Sequence, residues 1–274
     1  MFGGDPEQAR LVAMAFEMLH NFTLIHDDIM DMAPIRRGRP TVYKKWNSNI
    51  AILSGDALAI MAFQQLLKLP CDQKIIIDIA NLFSCTSLEI CEGQQYDLDF
   101  ETQEHVSLDE YLNMIRLKTA VMFAGCLKAG ALLVAADKES QQALYDFGIH
   151  LGLAFQLADD VLDVYGDERT FGKSIGGDIR ENKKTYIYLK ALELATPEQH
   201  AQLKEFFAVP TTDFEAKYKA VRAIFDATNV KAVTDDLIMS YTMQAKDDLE
   251  RVHLPADKKK SLQNLLDKLI NREK

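Results

Sequence analysis

The chain is short of cysteine, proline and tryptophan and has no excess of positive charge. Its four cysteines lie in apolar stretches, without the paired spacing of a zinc site or the density of a secreted disulfide framework. The 31 basic and 41 acidic side chains give a net charge of −10, which argues against a general nucleic-acid surface or an anionic membrane surface as the main partner. These features predict buried, reduced thiols in a cytoplasmic protein that binds no nucleic acid.

Targeting and membrane signals are also missing. No basic-then-apolar leader opens the chain, and no uncharged run reaches the ~18 residues that indicate a membrane span. We therefore expect a soluble protein with no membrane span, and its 48% hydrophobic content is ample for a sizeable core.

Apolar residues recur at intervals of three and four along nearly every long segment, which is the spacing of one helix face. One such stripe consists of Leu144, Phe147, Leu151, Phe155, Ala158 and Leu162. Only residues 75–77 have the β-branched density of a strand, and they lie inside a longer helical pattern that we interpret as a buried helix. With no Ser/Gly linker or repeat, the sequence predicts a single all-α domain over residues 1–274, with about eight to ten helices.

The segment TLIHDDIMD, residues 23–31, carries three aspartates directly after an apolar run. If residues 7–32 form one helix, Asp27, Asp28 and Asp31 stand at about 0°, 100° and 40° around its axis and share one face. A solvated helix end is the alternative for this triplet alone. However, the helix dipole disfavours carboxylates at a C-terminal end, so a positive group is expected nearby.

The same spacing returns at Asp159, Asp160 and Asp163, again after an apolar helical stripe. Two carboxylate-rich helix ends, brought face to face, would form an oxygen-lined site for hard divalent cations. Mg²⁺ is usually held by one or two carboxylates, with water and phosphate oxygens in the other positions. The repeated triplet therefore predicts a phosphate-bearing ligand that is bound through Mg²⁺.

Clusters of basic residues follow both triplets. Arg36 and Arg37 lie in RRGRPT, which predicts a cationic turn after the first triplet, and Lys173, Lys183 and Lys184 lie in GKSIGGDIRENKKT after the second. Each cluster alone is typical of a solvated loop. Their repeated placement beside aspartates favours phosphate binding, since guanidinium groups bind phosphate in a bidentate way.

Taken together, these motifs resemble the trans-isoprenyl diphosphate synthases, or polyprenyl synthetases, of the short-chain type. The resemblance extends in order over about residues 8–270 and includes SGDAL at 54–58, EGQQYDL at 92–98, LKTA at 117–120 and GGDIRENKKT at 176–185. It implies the isoprenoid synthase fold, an all-α bundle around a central cavity, usually as a homodimer. It also implies condensation of an allylic diphosphate (dimethylallyl, geranyl or farnesyl) with isopentenyl diphosphate, releasing pyrophosphate.

The resemblance assigns roles to individual residues. Direct ligands of Mg²⁺, of which three ions are expected, would be Asp27, Asp31 and Asp159, supported by Asp28, Asp160 and Asp163. The allylic diphosphate would be held by Arg36, Lys118, Thr119, Gln156, Lys173 and Lys183. Isopentenyl diphosphate would contact Arg37 and His20, while Gln94 and Asp97 would orient metal-bound water or the reacting end. For His20 the alternative is a histidine with a purely structural place in the core.

Product length is assigned to Phe22 and Thr23, which stand five and four places before the first aspartate. In the resembled family these positions limit chain growth. A phenyl ring blocks a channel more than alanine would, so the expected product is geranylgeranyl or farnesyl diphosphate.

The sequence departs from the family at its N-terminus. Members have an earlier Gly-Gly-Lys-x-x-Arg-Pro segment that supplies cations for isopentenyl diphosphate, whereas Gly3 and Gly4 are followed by Asp5. The N-terminal helices are therefore expected to be missing. Either Met1 is internal to a longer protein or the chain is naturally short, with weaker binding of the second substrate.

Three other functions compete with prenyl transfer. A di-iron bundle needs two Glu-x-x-His pairs, and only Glu17 to His20 fits. A class I terpene cyclase shares the first aspartate motif but normally lacks the second. A catalytically silent partner subunit is the remaining alternative, although such a subunit has no chemical need for intact aspartates.

Overall fold

A computed structural model describes residues 1–166, 175–208 and 213–270. The predicted all-α class is confirmed, because nearly all of the regular structure in these ranges is helical. The helices are Pro6–Met30 (α1), Val42–Lys45 (α2), Ser48–Leu66 (α3), Gln73–Thr102 (α4), Leu108–Ile115 (α5), Val121–Leu133 (α6), Lys138–Tyr165 (α7), Gly177–Glu181 (α8), Tyr186–Leu194 (α9), Pro197–Ala208 (α10), Phe214–Ala227 (α11), Val230–Glu250 (α12) and Ala256–Ile270 (α13).

Two short elements, a π-helical turn and a two-stranded hairpin, lie between the helices. A π-helical turn, Arg116–Ala120, lies between α5 and α6. Two-residue strands, Ile35–Arg36 (β1) and Arg39–Pro40 (β2), pair antiparallel after α1. The intervening Arg37 and Gly38 have φ of 51° and 74°, as expected for a tight two-residue hairpin turn. The cationic turn predicted from RRGRPT is therefore present.

The chain divides into two compact units. Unit 1 comprises Met1–Ser87 and Gly125–Gln141, and unit 2 comprises Leu88–Ala124 and Gln142–Lys274. The single domain predicted over residues 1–274 stays a prediction.

In unit 1, α1 is fixed at its start by a cap and along its length by an apolar face. The Asp5 carboxylate accepts the backbone N–H of Glu7 at 2.9 Å, and Pro6 occupies the first helical turn, where its missing N–H costs nothing. On the buried face, Phe16 meets the ring of Phe83 edge-on, with centroids 5.2 Å apart. α1 packs against α3, and this contact sets the position of its aspartate-bearing end.

In unit 2, α7 supplies the centre of the core. Of its predicted stripe, Leu144, Phe147, Leu151 and Ala158 are buried, whereas Phe155 and Leu162 are half-buried. The core around α7 is completed by side chains of α5, α9, α11 and α12. The second aspartate motif therefore lies in the C-terminal part of a helix whose inner face is packed in the core of unit 2.

One prediction of burial is wrong, because Cys85, Cys91 and Cys126 are exposed free thiols and Cys71 is intermediate. The helix predicted through residues 75–77 is confirmed as part of α4, in which Ile79 and Phe83 are buried while Ile77 is 58% exposed. The reason is that many apolar residues in this part of the chain lie on the surface and not in the core. α3 has the length and composition of a membrane-crossing helix, yet only 22% of its apolar window is buried. An apolar context therefore did not imply a buried position here.

Candidate active site

Unit 1 holds the first aspartate motif at the C-terminal end of α1. The hairpin of β1 and β2 turns the chain back so that Arg36 Nε donates to Asp28 Oδ1 at 2.7 Å and its terminal nitrogen donates to Asp27 Oδ2 at 3.0 Å. Asp31 is the C-terminal cap of α1. Arg36 is the positive group that the helix-dipole argument demands. Because it binds two carboxylates at once, it holds the motif together.

Burial has different effects on the two ionisable groups beside this motif. Desolvation raises the pKa of Asp28, and the Arg36 hydrogen bond and charge act against that rise. Desolvation also lowers the pKa of His20, and the charges of Arg37 and Arg36 lower it further, against the opposing charge of Glu17. Burial and the two arginines therefore disfavour the protonated form of His20. The predicted ligands of isopentenyl diphosphate, His20 and Arg37, therefore belong to one neighbourhood of unit 1.

His26, a residue outside the aspartate motif, connects the end of α1 to α3. Its Nε2 lies 3.1 Å from the carbonyl oxygen of Ile52, and Phe22 meets its ring edge-on at 4.8 Å. A Cβ at Gly55 would lie only 2.3 Å from the same Nε2, so only glycine leaves room for the ring. The signal in the sequence was a glycine within the apolar pattern of α3.

The second motif lies in unit 2, near the C-terminal end of α7, and its aspartates are held by protein donors. Asp160 is buried, and Tyr111 Oη donates to its Oδ2 at 2.5 Å while Gln156 Nε2 donates to its Oδ1 at 3.2 Å. Burial raises the pKa of Asp160 to about 7, against the lowering effect of these two hydrogen bonds. Hydrogen bonds to a charged group stabilise by about 1.5–3 kcal/mol each, so both donors matter for the ionised form. Asp160 is therefore placed as an internal anchor of the motif.

Asp163 caps the start of α8. Its two carboxylate oxygens accept the backbone N–H groups of Gly177 and Asp178 at 3.1 and 3.0 Å. Asp178 is a further acidic group that the sequence analysis missed. Its pKa is raised well above the usual value by burial first and then by the charges of Asp163 and Asp160. The GGDIRENKKT segment is thus tied to the second motif through Asp163.

The π-helical turn presents Lys118 and Thr119. Lys118 Nζ donates to Asp97 Oδ2 at 2.6 Å, and Thr119 Oγ1 donates to Gln156 Oε1 at 3.1 Å. A Cβ at Gly93 would lie 2.3 Å from the backbone nitrogen of Lys118, so α4 is in direct backbone contact with the turn. π-helical turns are rare and often occur at functional sites. The LKTA and EGQQYDL motifs, far apart in sequence, therefore meet in unit 2.

The remaining predicted residues differ in their surroundings. Lys183 Nζ lies 3.4 Å from Glu181 Oε2, and Lys184 Nζ donates to the carbonyl oxygen of Phe100 at 2.5 Å. Gln94 Nε2 is buried with no hydrogen-bond partner in the part of the chain that the structure describes. Lys173 lies outside the described residues.

The donors present fit Mg²⁺ that arrives with a phosphate ligand. Within residues 1–166, 175–208 and 213–270, no three His, Cys, Asp or Glu side chains converge on a preformed metal site. Mg²⁺ does not require one, because one or two carboxylates plus substrate oxygens and water suffice. Unit 1 brings together Asp27, Asp28 and Arg36. In unit 2, Lys118 pairs with Asp97, and its neighbour Thr119 is linked to Asp160 through Gln156. That both motifs act on one diphosphate stays a prediction.

Aspartates at two helix ends, with Arg36 beside the first motif and Lys118 on the turn that contacts Gln156, suit the binding of a metal-bound phosphate group. The chain belongs to the polyprenyl synthetase family, whose sequence model matches residues 1–224. The curated relatives in this family are named as isoprenyl diphosphate synthases, which are prenyltransferases.

Individual relatives agree with this assignment. The chain is 39% identical over 261 residues to a geranylgeranyl diphosphate synthase of Methanosarcina mazei, which covers 95% of the chain and 78% of that protein. A crystal structure of a geranylgeranyl pyrophosphate synthase superposes with a TM-score of 0.94 at 45% identity, covering 100% of the chain and 84% of its own. Another, from Corynebacterium glutamicum and complexed with isoprenyl diphosphate and magnesium, gives a TM-score of 0.90 at 26% identity, covering 99% and 81%.

Proposed function

We propose that the protein is a Mg²⁺-dependent trans-isoprenyl diphosphate synthase that joins an allylic diphosphate to isopentenyl diphosphate, head to tail. The observation that carries the proposal is the pairing of aspartates with cations in both units, by Arg36 with Asp27 and Asp28 and by Lys118 with Asp97. Each pair places a cation that can bind phosphate beside a carboxylate, the type of ligand that Mg²⁺ prefers.

In this proposal each polar residue binds or orients. Asp27, Asp31 and Asp159 would hold Mg²⁺, which when bound stabilises the negative charge that grows on the departing pyrophosphate. Arg36 and Lys118 would hold the diphosphate oxygens, and Thr119 would turn its one hydroxyl proton to them from Gln156 Oε1, to which it donates here. These donors are already in place before reaction, which is the condition for electrostatic catalysis.

The reaction needs no covalent enzyme intermediate. The allylic C–O bond breaks and its electron pair leaves with pyrophosphate. The double bond of isopentenyl diphosphate then supplies the electrons of the new C–C bond, and loss of a proton restores a double bond. A covalent intermediate is not expected, since the sequence contains no recognisable Ser/His/Asp triad or Cys/His pair. We assign the departing pyrophosphate as the proton acceptor, as the resemblance to the family implies, since the sequence offers no obvious dedicated base.

The test is incubation of purified protein with Mg²⁺, isopentenyl diphosphate and each of dimethylallyl, geranyl and farnesyl diphosphate. Chromatography and mass spectrometry of the dephosphorylated products identify the chain length. Prenyl alcohols longer than the starter, formed only with isopentenyl diphosphate and Mg²⁺, support the proposal. Cyclic products without isopentenyl diphosphate would identify a terpene cyclase. Absence of any product would favour a silent partner subunit, which the names of the relatives do not favour.

Replacement of Phe22 by alanine is expected to lengthen the main product by one or more five-carbon units. Phe22 is a half-buried ring on α1 that packs edge-on against His26, five residues before Asp27. Its removal opens space along the helix that carries the first motif. Product analysis with farnesyl diphosphate as starter measures the change. Phe206→Ala, which removes a half-buried ring from unit 2, is the matched control, and an unchanged distribution in Phe22→Ala would refute the role.

We further infer that the protein is a soluble, cytoplasmic homodimer whose contact includes the exposed apolar face of α3. Leu53 and Ile60 on this helix are 64% and 63% exposed in the single chain, and such a face is a common mark of a protein interface. Ile60→Glu is expected to convert the dimer to a monomer in sedimentation velocity. Met239→Glu on α12, at an equally exposed methionine (62%), is the control. A wild-type monomer, or a dimer that survives Ile60→Glu, contradicts this interface.

A further inference from the structure

Tyr111 is a buried residue to which neither the motifs nor the proposed reaction assigns a role. It lies on α5, which begins with a capping box in which Ser107 and Glu110 satisfy each other's backbone N–H groups. The residue is only 3% exposed. Its hydroxyl reaches across 49 positions of sequence to Asp160 Oδ2, at 2.5 Å. The capped helix α5 therefore places the Tyr111 hydroxyl against Asp160 of the second motif.

The contact belongs to a longer chain of hydrogen bonds with one consistent direction. Thr119 Oγ1 donates to Gln156 Oε1 at 3.1 Å, and the Gln156 amide then donates to Asp160 Oδ1 at 3.2 Å. Tyr111 donates to the other oxygen of the same carboxylate. Both oxygens of Asp160 are thereby held by neutral donors. The π-helical turn and the second motif share one buried network within unit 2.

We propose that Tyr111 is a positioning residue for the second aspartate motif, which it holds through Asp160. The proposal rests on the proposed function, in which Asp159 binds Mg²⁺. Neighbouring residues of a helix differ by about 100° around its axis. Fixing Asp160 toward Tyr111 therefore fixes the direction of Asp159. Outer partners that orient a metal ligand typically change metal affinity or activity by about 10- to 100-fold when removed.

The first test is Tyr111→Phe, which deletes one hydroxyl and keeps the ring in the core. We expect the Mg²⁺ concentration for half-maximal prenyl transfer to rise about 10-fold and kcat to fall, while the KM for isopentenyl diphosphate is unchanged. A purely structural hydroxyl would lower the melting temperature and leave the Mg²⁺ dependence alone. Tyr188→Phe is the matched control, since Tyr188 is also buried in unit 2, where it stacks on Phe207.

A double-mutant cycle tests whether Tyr111 acts through Asp160. If it does, Tyr111→Phe combined with Asp160→Asn shows the same Mg²⁺ dependence as Asp160→Asn alone. Independent, additive effects would overturn the proposal. So would a Mg²⁺ dependence of Tyr111→Phe equal to that of wild type.

Calorimetric titration with Mg²⁺ and inorganic pyrophosphate separates this inference from the proposed function, because it needs no turnover. About 10-fold weaker binding by Tyr111→Phe than by wild type supports the positioning role, even if wild type forms no prenyl product and the proposed function fails. Equal binding by both proteins, or no binding by either, overturns the positioning role.

Discussion

Replacing Asp27 or Asp159 by asparagine is expected to lower kcat for prenyl transfer by about 10³-fold or more, with helicity unchanged. Asparagine keeps the size of the side chain and removes its charge. In the proposed reaction these carboxylates hold the metal that neutralises the leaving pyrophosphate. Loss of that stabilisation raises the activation free energy by several kcal/mol. Asp27 has a second effect in unit 1, because its ion pair with Arg36 at 3.0 Å disappears.

The measurement is product formation across a range of Mg²⁺ concentrations, together with far-ultraviolet circular dichroism. Asp236→Asn, at an exposed aspartate of α12, is the control and is expected to behave as wild type. Turnover at the wild-type level in either motif variant would show that the metal assignment is wrong. A loss of helicity in parallel with activity would show a structural role instead.

Lys118→Gln is expected to lower kcat/KM for the allylic diphosphate by about 10²- to 10³-fold, with little change in the KM for isopentenyl diphosphate. Lys118 is presented by the π-helical turn, whose backbone is held against Gly93 of α4. Its side chain is 26% exposed, and its ammonium group pairs with Asp97 at 2.6 Å. The charge is thus oriented before substrate arrives. Glutamine is shorter than lysine but keeps a polar, uncharged end, so the variant removes the positive charge.

Initial rates with each substrate varied in turn distinguish the two binding steps. Lys219→Gln, at an exposed lysine of α11, is the matched control for loss of one positive charge. An equal rise in the KM of both substrates would place Lys118 outside the allylic diphosphate site. An unchanged kcat/KM would remove it from the mechanism.

Local patterns were sufficient for much of the fold. α7 follows the apolar stripe from Leu144 to Leu162, because a period of 3.6 is a property of neighbouring residues. α1 ends at Met30, with Asp31 as its cap, close to the predicted end at residue 32. The cationic turn after α1 was also predictable, since Arg37 and Gly38 stand between short extended pairs.

Burial was less predictable. The thiols of Cys85, Cys91 and Cys126 were expected inside and are exposed. Periodicity separates two faces of a helix, but it does not say whether the apolar face meets the core of the same chain or a surface. α3 shows this most clearly, since its apolar residues Leu53 and Ile60 are among the most exposed in the described part of the chain.

The sequence by itself determined the all-α class, the two aspartate triplets, the basic segments beside them and the family they indicate, because these depend on composition and short spacings. Only the tertiary structure decided which partners the aspartates have. Arg36 lies eight positions from Asp28, but Tyr111 and Lys118 lie 49 and 21 positions from Asp160 and Asp97. Such pairs form because packed helices bring distant side chains within hydrogen-bond distance. The close approach of α4 at Gly93 to the backbone of Lys118 depends on both segments, so neither segment alone predicts it.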